Sequence, residues 1–249
     1  MSTSSSQDLT APAAAPWRPL PGDRLRSTAR GAGELLITAG VVLLLYAVYV
    51  LYGTGLQAAQ DQRELRQDLA RTWAAPAPTS AAQPAPTASA APPPAPSTAP
   101  SAAPLPEQAV ALLRLPRFGD YEKVVVEGTD RDALKKGPGH QPGTAMPGQI
   151  GNAVLAGHRT TYGAPFGRLD ELRAGDQVVV QTAAGVFTYR VRTTEVVPPS
   201  AVEVMLPVPG RVGAVPSEAL ITLITCTPKY SARNRLVIRG ALVGTAAAA

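Results

Sequence analysis

The sequence offers a single thiol that could act as a nucleophile. Cys226 is the only cysteine among 249 residues, and it follows the apolar and β-branched run 219–225, which predicts a strand buried on both faces. Pro228 ends this strand because proline cannot donate to a hydrogen-bond ladder. A second apolar run, 235–243, begins nine residues after the cysteine. Arg235 is therefore expected beside the thiol, on the neighbouring strand.

Two histidines are candidates for proton exchange with this thiol. His158 follows the buried run 152–156, so it is expected at a strand end, as Cys226 is, whereas His140 lies in the Gly- and Pro-rich segment 137–143, which predicts a flexible loop. His158 is the better candidate for general acid or base. No metal and no cofactor are predicted, because the two histidines are 18 residues apart and neither has a cysteine or carboxylate cluster beside it.

An arginine beside the thiol would help it to react. A thiol of reference pKa about 8.5 beside an imidazole of about 6.5 needs a positive neighbour, or a minority of reverse-protonated molecules, to act near neutral pH. A guanidinium supplies both a permanent charge and paired hydrogen bonds. Arg235 opens the apolar run directly, and Arg233, at the same parity, is a second candidate.

The N-terminal part of the chain predicts a membrane anchor. No charged residue occurs in 35–60, and at about 1.5 Å rise per residue the strongly apolar run 35–52 alone approaches the roughly 30 Å hydrocarbon core, which predicts a transmembrane helix over 34–56. Four arginines precede this span, whereas the three that follow it are balanced by acidic residues, so segment 1–33 is expected to be disordered, basic and cytoplasmic and the rest of the chain extracellular. A cleaved signal peptide is the alternative, but its apolar region is normally shorter.

A charged juxtamembrane stretch and a Pro/Ala-rich linker follow over 57–106. The Ala, Pro, Ser and Thr of its second half cannot bury apolar surface, which predicts an extended stalk. Residues 246–249 are expected to be a disordered tail. The net charge of +5 is modest and the arginines are scattered, so no nucleic-acid partner is predicted.

The segment 107–245 is expected to fold as one all-β domain. Its short apolar runs are separated by Gly- and Pro-rich turns and predict seven or eight strands in a closed barrel or a sandwich. Short helices are expected at 130–136 and 165–172. The predicted strands are 110–115, 123–127, 152–156, 177–182, 186–197, 220–226 and 235–243.

Several motifs in this domain resemble those of sortases. The runs 222–226 (TLITC) and 235–238 (RLVI) are similar to the cysteine and arginine signatures of that family, and 156–163 (AGHRTTYG) resembles its histidine segment. Segments 137–145 and 151–152 also match the run that precedes the histidine. The resemblance covers about 110–243 and is greatest to the class E sortases of actinobacteria.

The resemblance implies an eight-stranded sortase-type β-barrel and a cysteine transpeptidase. Such an enzyme cuts LAxTG- or LPxTG-like sorting signals of secreted proteins between Thr and Gly and passes the acyl group to an amine of a peptidoglycan precursor or a pilin. Carried over to this sequence, Cys226 is the nucleophile, His158 the general acid and Arg235 the group that steadies substrate and oxyanion. The substrate groove would include the residues Thr225, Tyr162 and Leu223.

Two other functions are compatible with the sequence. An extracellular cysteine enzyme of another kind, such as an L,D-transpeptidase, would carry a His-Gly-Cys motif, whereas Ile224 and Thr225 precede the cysteine here. A non-enzymatic β-domain displayed on a stalk would hold an inert Cys226.

Overall fold

The structure of the protein is a computed structural model that describes residues 21–74, 105 and 107–247. The basic segment 1–20, most of the predicted stalk (75–104 and 106) and residues 248–249 lie outside the described residues, so the predictions made for them stay predictions. The chain divides into two compact units, Met1–Ala47 and Val48–Ala249.

Helix α1, Pro21–Val48, forms the described part of the first unit and reaches the first residue of the second. It contains a candidate membrane span at Arg26–Val48, whose apolar side chains are exposed. Residues 21–33, expected to be disordered, are helical here. Arg30 and Glu34 form an exposed ion pair one turn apart, of the kind that stabilises helices.

The α-helical part of the predicted 34–56 span ends earlier than expected. A π-helical turn, Tyr49–Gly53, follows α1, and helix α2, Thr54–Ala74, follows that turn. A Cβ at Gly53 would lie 2.8 Å from the Tyr49 ring, so this turn has no room for a side chain there. The charged stretch 57–74 is thus a separate helix, and its buried residues pack within the second unit.

Eight strands close into a barrel in the order β1-β2-β3-β4-β7-β8-β6-β5, which confirms the predicted fold. Most neighbouring pairs are antiparallel, whereas β2–β3 and β4–β7 are parallel. The strands are β1 (Ala109–Arg114), β2 (Glu122–Glu127), β3 (Gly139–His140), β4 (Gly151–Ala156), β5 (Gln177–Thr182), β6 (Gly185–Val197), β7 (Ala219–Thr227) and β8 (Asn234–Ala246).

The barrel interior is a single apolar core built from alternate residues of the strands. On β7 and β8, the core-facing side chains are Ile221, Leu223, Leu236 and Ile238, each at most 4% exposed. The residues between them, Thr222 and Val237, have the opposite parity and point to the outer face, where other parts of the chain bury them. The same alternation decides which face of the sheet carries Cys226.

Of the two short helices that the sequence predicts, one is present in the structure. Helix α3, Arg131–Lys136, is present, and the Asp130 carboxylate caps it by accepting from the N–H groups of Asp132 and Ala133. The helix predicted at 165–172 is wrong, because only a short 3₁₀ turn, Leu169–Glu171, forms there. This segment instead buries Phe166 and Leu169 in the core through irregular turns.

Candidate active site

Cys226 and Arg235 lie directly opposite each other on the antiparallel strands β7 and β8. Side chains of directly opposed residues share one face, with Cβ atoms about 4.5–5.5 Å apart. Because Thr225 and Leu236 point to the interior, Cys226 and Arg235 point to the outer face. The thiol is half-buried, so a substrate can reach it.

His158 lies at the same end of the barrel as Cys226. Strand β4 runs parallel to β7, with Ala156 beside Ile224, and the Gly157 N–H donates to the Ile224 carbonyl at 3.1 Å. His158 and Cys226, each two residues beyond the pair Ala156 and Ile224, therefore lie at one edge of the sheet. A Cβ at Gly157 would lie 2.8 Å from the Phe166 ring, which explains a glycine before the histidine.

The Tyr162 ring covers one side of the His158 imidazole. The ring centroids are 4.9 Å apart with a tilt of 39°, and Tyr162 has a left-handed backbone with φ of 52°. Burial lowers the pKa of His158 below its ordinary value, because desolvation disfavours the imidazolium. Tyr162 remains half-exposed, so its predicted contact with substrate stays a prediction.

The His158 imidazole should titrate at a lower pH than a solvated histidine. We expect an NMR titration of its ring protons to give a midpoint below about 6.5, the reference value. Tyr162→Ala admits water to the imidazole, favours the charged form and should raise the midpoint. His158→Asn assigns the signal by its loss. A midpoint at or above the reference value would show that desolvation does not control this group.

Arg159 is a site residue that the sequence did not single out. It is 5% exposed, and its guanidinium donates to the carbonyls of Gly167 at 3.2 Å and Cys226 at 3.4 Å while Nη2 pairs with Asp170 Oδ1 at 2.9 Å. Arg159 therefore ties the histidine segment to the backbone of the nucleophile. Its place directly after His158 was the only available signal, since no periodicity marks a buried arginine.

The guanidinium of Arg235 is held by backbone carbonyls at the start of β8 and just before it. Its Nη1 donates to the carbonyls of Ala232 at 3.0 Å and Asn234 at 3.2 Å, and these are its only hydrogen bonds to the described ranges. Nε and Nη2 thus remain able to donate to a substrate. The rival Arg233 is exposed and lies before the strand.

Two residues predicted to line the substrate groove lie in the interior instead. Leu223 is 0% exposed and packs in the barrel core, and Thr225 is 2% exposed and donates its hydroxyl to the Gly157 carbonyl at 2.7 Å. Both side chains have core parity on β7, so the structure does not place them on the outer face with Cys226, and their contact with substrate stays a prediction. We assign Leu223 to packing and Thr225 to holding the backbone before His158.

His140 is not in a flexible loop, as the sequence suggested, but in strand β3. It is 2% exposed, and its ring nitrogens lie 2.7 Å from Glu127 Oε2 and 3.0 Å from the Ala145 carbonyl. The strand was not predicted because it is only two residues long and lies in a Gly- and Pro-rich segment. His140 is a structural residue of the barrel.

The structure shows no candidate metal centre in its described ranges, where no group of three or more His, Cys, Asp or Glu side chains lies together. The chemistry available at the site is that of a thiol, an imidazole and a guanidinium. A thiol can attack a carbonyl, an imidazole can transfer protons, and a guanidinium can stabilise an oxyanion.

Comparison with known proteins gives one consistent answer. Sortase SrtE1 of Streptomyces coelicolor is 33% identical over 222 residues, which cover 86% of this chain and 57% of that protein. This chain thus spans little more than half the length of that relative. The structure of sortase E from Streptomyces avermitilis is similar with a TM-score of 0.52 and 39% identity, covering 57% of this chain and 93% of that chain.

A further solved structure is that of sortase E1 from Streptomyces coelicolor with a tripeptide in its active site. It has a TM-score of 0.52 and 38% identity and covers 57% of this chain and 93% of that chain. The model of the sortase domain family matches residues 113–243, more than half of the sequence. The match includes His158, Cys226 and Arg235. As the motifs predicted, this chain belongs to the sortases, a family of cysteine transpeptidases, and its relatives include the Streptomyces class E enzymes.

Proposed function

We propose that this protein is a membrane-anchored sortase that cleaves an LAxTG- or LPxTG-like sorting signal between Thr and Gly and transfers the acyl group to an amine. The observation that supports this most is the register of β7 and β8, which sets Cys226 opposite Arg235 on the outer face. His158 lies at the end of the neighbouring strand β4. A nucleophile, a proton donor and an oxyanion donor thus share one edge of the barrel.

Cys226 would carry out the bond exchange in the first half-reaction. Its thiolate attacks the carbonyl carbon of the signal's Thr, and the electron pair of that carbonyl moves to oxygen. The tetrahedral intermediate collapses to a thioester, the bond to the Gly nitrogen breaks, and protonated His158 gives its proton to the leaving amine. Because burial lowers the pKa of His158, its imidazolium is a strong acid for this step.

Arg235 would stabilise the negative charge that develops on the carbonyl oxygen. The carbonyls of Ala232 and Asn234 already hold Nη1, so the guanidinium needs little reorganisation when charge appears. Its planar fork can also hold the substrate backbone by paired hydrogen bonds.

The second half-reaction reverses these roles. An acceptor amine attacks the thioester, neutral His158 takes the proton of the new amide nitrogen, and Cys226 leaves as a thiolate. The acceptor would be an amine of a peptidoglycan precursor or a pilin lysine. The substrate would be a secreted protein that carries the signal at its C-terminus. The tripeptide in the active site of the Streptomyces relative supports the peptide nature of this substrate.

The proposed location is a bacterial cell membrane, with a single α1 span, a cytoplasmic N-terminus and the barrel outside. It is supported by one helix that is long and apolar enough to cross a membrane and by the arginine excess before that helix.

Incubation of the full chain in detergent with LAxTG and LPxTG peptides and a panel of amines tests the proposed activity. We expect the Thr–Gly bond to be cut and the amine to be ligated to Thr, detected by mass spectrometry. A scrambled peptide controls for nonspecific proteolysis. Failure to cleave every signal peptide, with or without amine, would contradict the proposal and favour a non-enzymatic domain.

A further inference from the structure

Helix α2 packs against the barrel through one face. Leu65 and Leu69 are at most 9% exposed and contact an apolar cluster on the outside of β1, β2 and α3. Ala58 and Gln62 are buried on the same face, at the three- and four-residue intervals of a helix. Although 57–74 is rich in charge, α2 is therefore part of the second unit's packing.

Gln62 fills a gap in the hydrogen-bond ladder of the barrel. Strand β3 pairs with β2 only at Val126 and Glu127, so the backbone of Val124 has no strand partner on that side. The Gln62 side-chain amide takes that place: its Oε1 accepts from the Val124 N–H at 2.8 Å, and its Nε2 donates to the Val124 carbonyl at 3.0 Å.

The same amide also connects β2 with the end of α3. Nε2 donates to the Lys136 carbonyl at 2.9 Å, and a Cβ at the next residue, Gly137, would overlap Nε2. Gly137 thus leaves room for this contact. Removal of the Gln62 side chain would leave buried backbone groups unpaired, which folded proteins avoid.

The first turns of α2 contact the loop that carries Tyr162. Thr54 Oγ1 donates to the Val50 carbonyl at 2.7 Å and accepts from the Tyr162 N–H at 3.4 Å. A Cβ at Gly163 would lie 3.8 Å from the Ala58 Cβ, so this helix face and the loop are in contact. The loop backbone is left-handed at Tyr162 and at Gly163, a conformation that needs external support at a non-glycine residue.

We propose that α2 is a positioning element of the active site: Gln62 docks it on the barrel, and Thr54 and Ala58 hold the loop that keeps Tyr162 over His158. The chain that folds as the enzyme then begins at α2 rather than at residue 107, the predicted boundary. This inference rests on the proposed role of His158 in acyl transfer. Its docking part stands on the hydrogen bonds of Gln62 and the burial of Leu65 and Leu69, and does not depend on that role.

The first test measures docking in the full chain. A protease site is inserted within 75–104, the purified protein is cut, and an N-terminal tag is used to capture the barrel fragment. We expect capture for wild type and for Gln60→Ala, which removes an exposed glutamine of the same helix. Gln62→Met keeps the side-chain volume but loses three hydrogen bonds, and it should reduce capture at least tenfold. Loss of the barrel fragment from cut wild type would overturn the proposal.

The second test measures positioning in the uncut chain. Thr54→Val keeps the shape of Thr54 and the Gln62 contacts but removes the acceptor for the Tyr162 N–H. We expect a several-fold lower kcat for LAxTG peptide transfer and a higher His158 titration midpoint, with fragment capture unchanged. Gln62→Met should show the same two changes, and Gln60→Ala neither. An unaltered kcat and midpoint in both Thr54→Val and Gln62→Met would overturn the positioning role.

These readouts separate the inference from the proposed function. If wild type cleaves no sorting peptide, the proposed function fails, while fragment capture and the His158 titration still decide whether α2 docks and supports the loop. If wild type is active and Gln62→Met matches it in capture, kcat and titration midpoint, the inference fails alone.

Discussion

Cys226→Ala should abolish both peptide cleavage and acyl transfer. No other cysteine exists in the sequence, so no side chain can replace the thiol that forms the thioester. Wild type incubated with a sorting peptide and no amine should show an acyl adduct on Cys226 in the intact-protein mass, and the variant should show none. Because water can hydrolyse the thioester, short incubation and rapid acid quenching are used to preserve the adduct.

The fold should survive this substitution, which makes the result interpretable. Cys226 is half-buried on the outer face, and alanine fits the space that a small thiol leaves. Thermal unfolding followed by circular dichroism should give nearly the wild-type midpoint. Turnover that persists in Cys226→Ala, with the barrel intact, would refute the assigned nucleophile.

Arg235→Ala should lower kcat/KM by roughly 10²–10³-fold, because loss of one oxyanion donor typically costs about 2.7–4 kcal/mol of transition-state stabilisation. Arg235→Lys should not restore the rate. A lysine ammonium keeps the charge, but a point charge lacks the planar second donor of the guanidinium. Steady-state kinetics on the peptide substrate measure both variants.

Arg233→Ala is the matched control for this prediction. Arg233 carries the same charge two residues away, is exposed and lies outside β8. Its removal should leave kcat/KM within about twofold of wild type, since screened surface charges contribute little. The opposite pattern, with the loss in Arg233→Ala and none in Arg235→Ala, would transfer the role to Arg233.

The sequence could predict those features of the site that follow from strand pairing. The apolar runs around Cys226 and Arg235 identified β7 and β8, and the short loop between the runs indicated that the two residues are neighbours on adjacent strands. Leu223 and Thr225 were misplaced because a strand buried on both faces shows no alternation in its sequence. Only the register separates interior from exterior there.

Side-chain hydrogen bonds to backbone were beyond sequence patterns. Burial of Arg159 is possible because Gly167, Asp170 and Cys226 receive its donors, and no sequence pattern reports these contacts. The buried face of α2 consists of positions 58, 62, 65 and 69, which have helical spacing, but Gln62 is polar and interrupts the apolar pattern. In the sequence alone, a glutamine that hydrogen-bonds a strand backbone cannot be distinguished from one that faces water. β3 was hidden because two residues are too few for a period.

Because α2 packs against the barrel, the segment 75–104 does not separate the barrel from the helix that precedes it. Ala74 ends a helix of the second unit and Ala109 begins a strand of the same unit, so the segment joins two points of one folded body. A spacer between two bodies gains reach with every added residue, but a segment whose ends are fixed on one body does not. For a flexible segment, length enters through the entropy of ring closure, which changes by about 0.6 kcal/mol for each doubling. We therefore expect insertions or deletions in 75–104 to change the free energy of unfolding little.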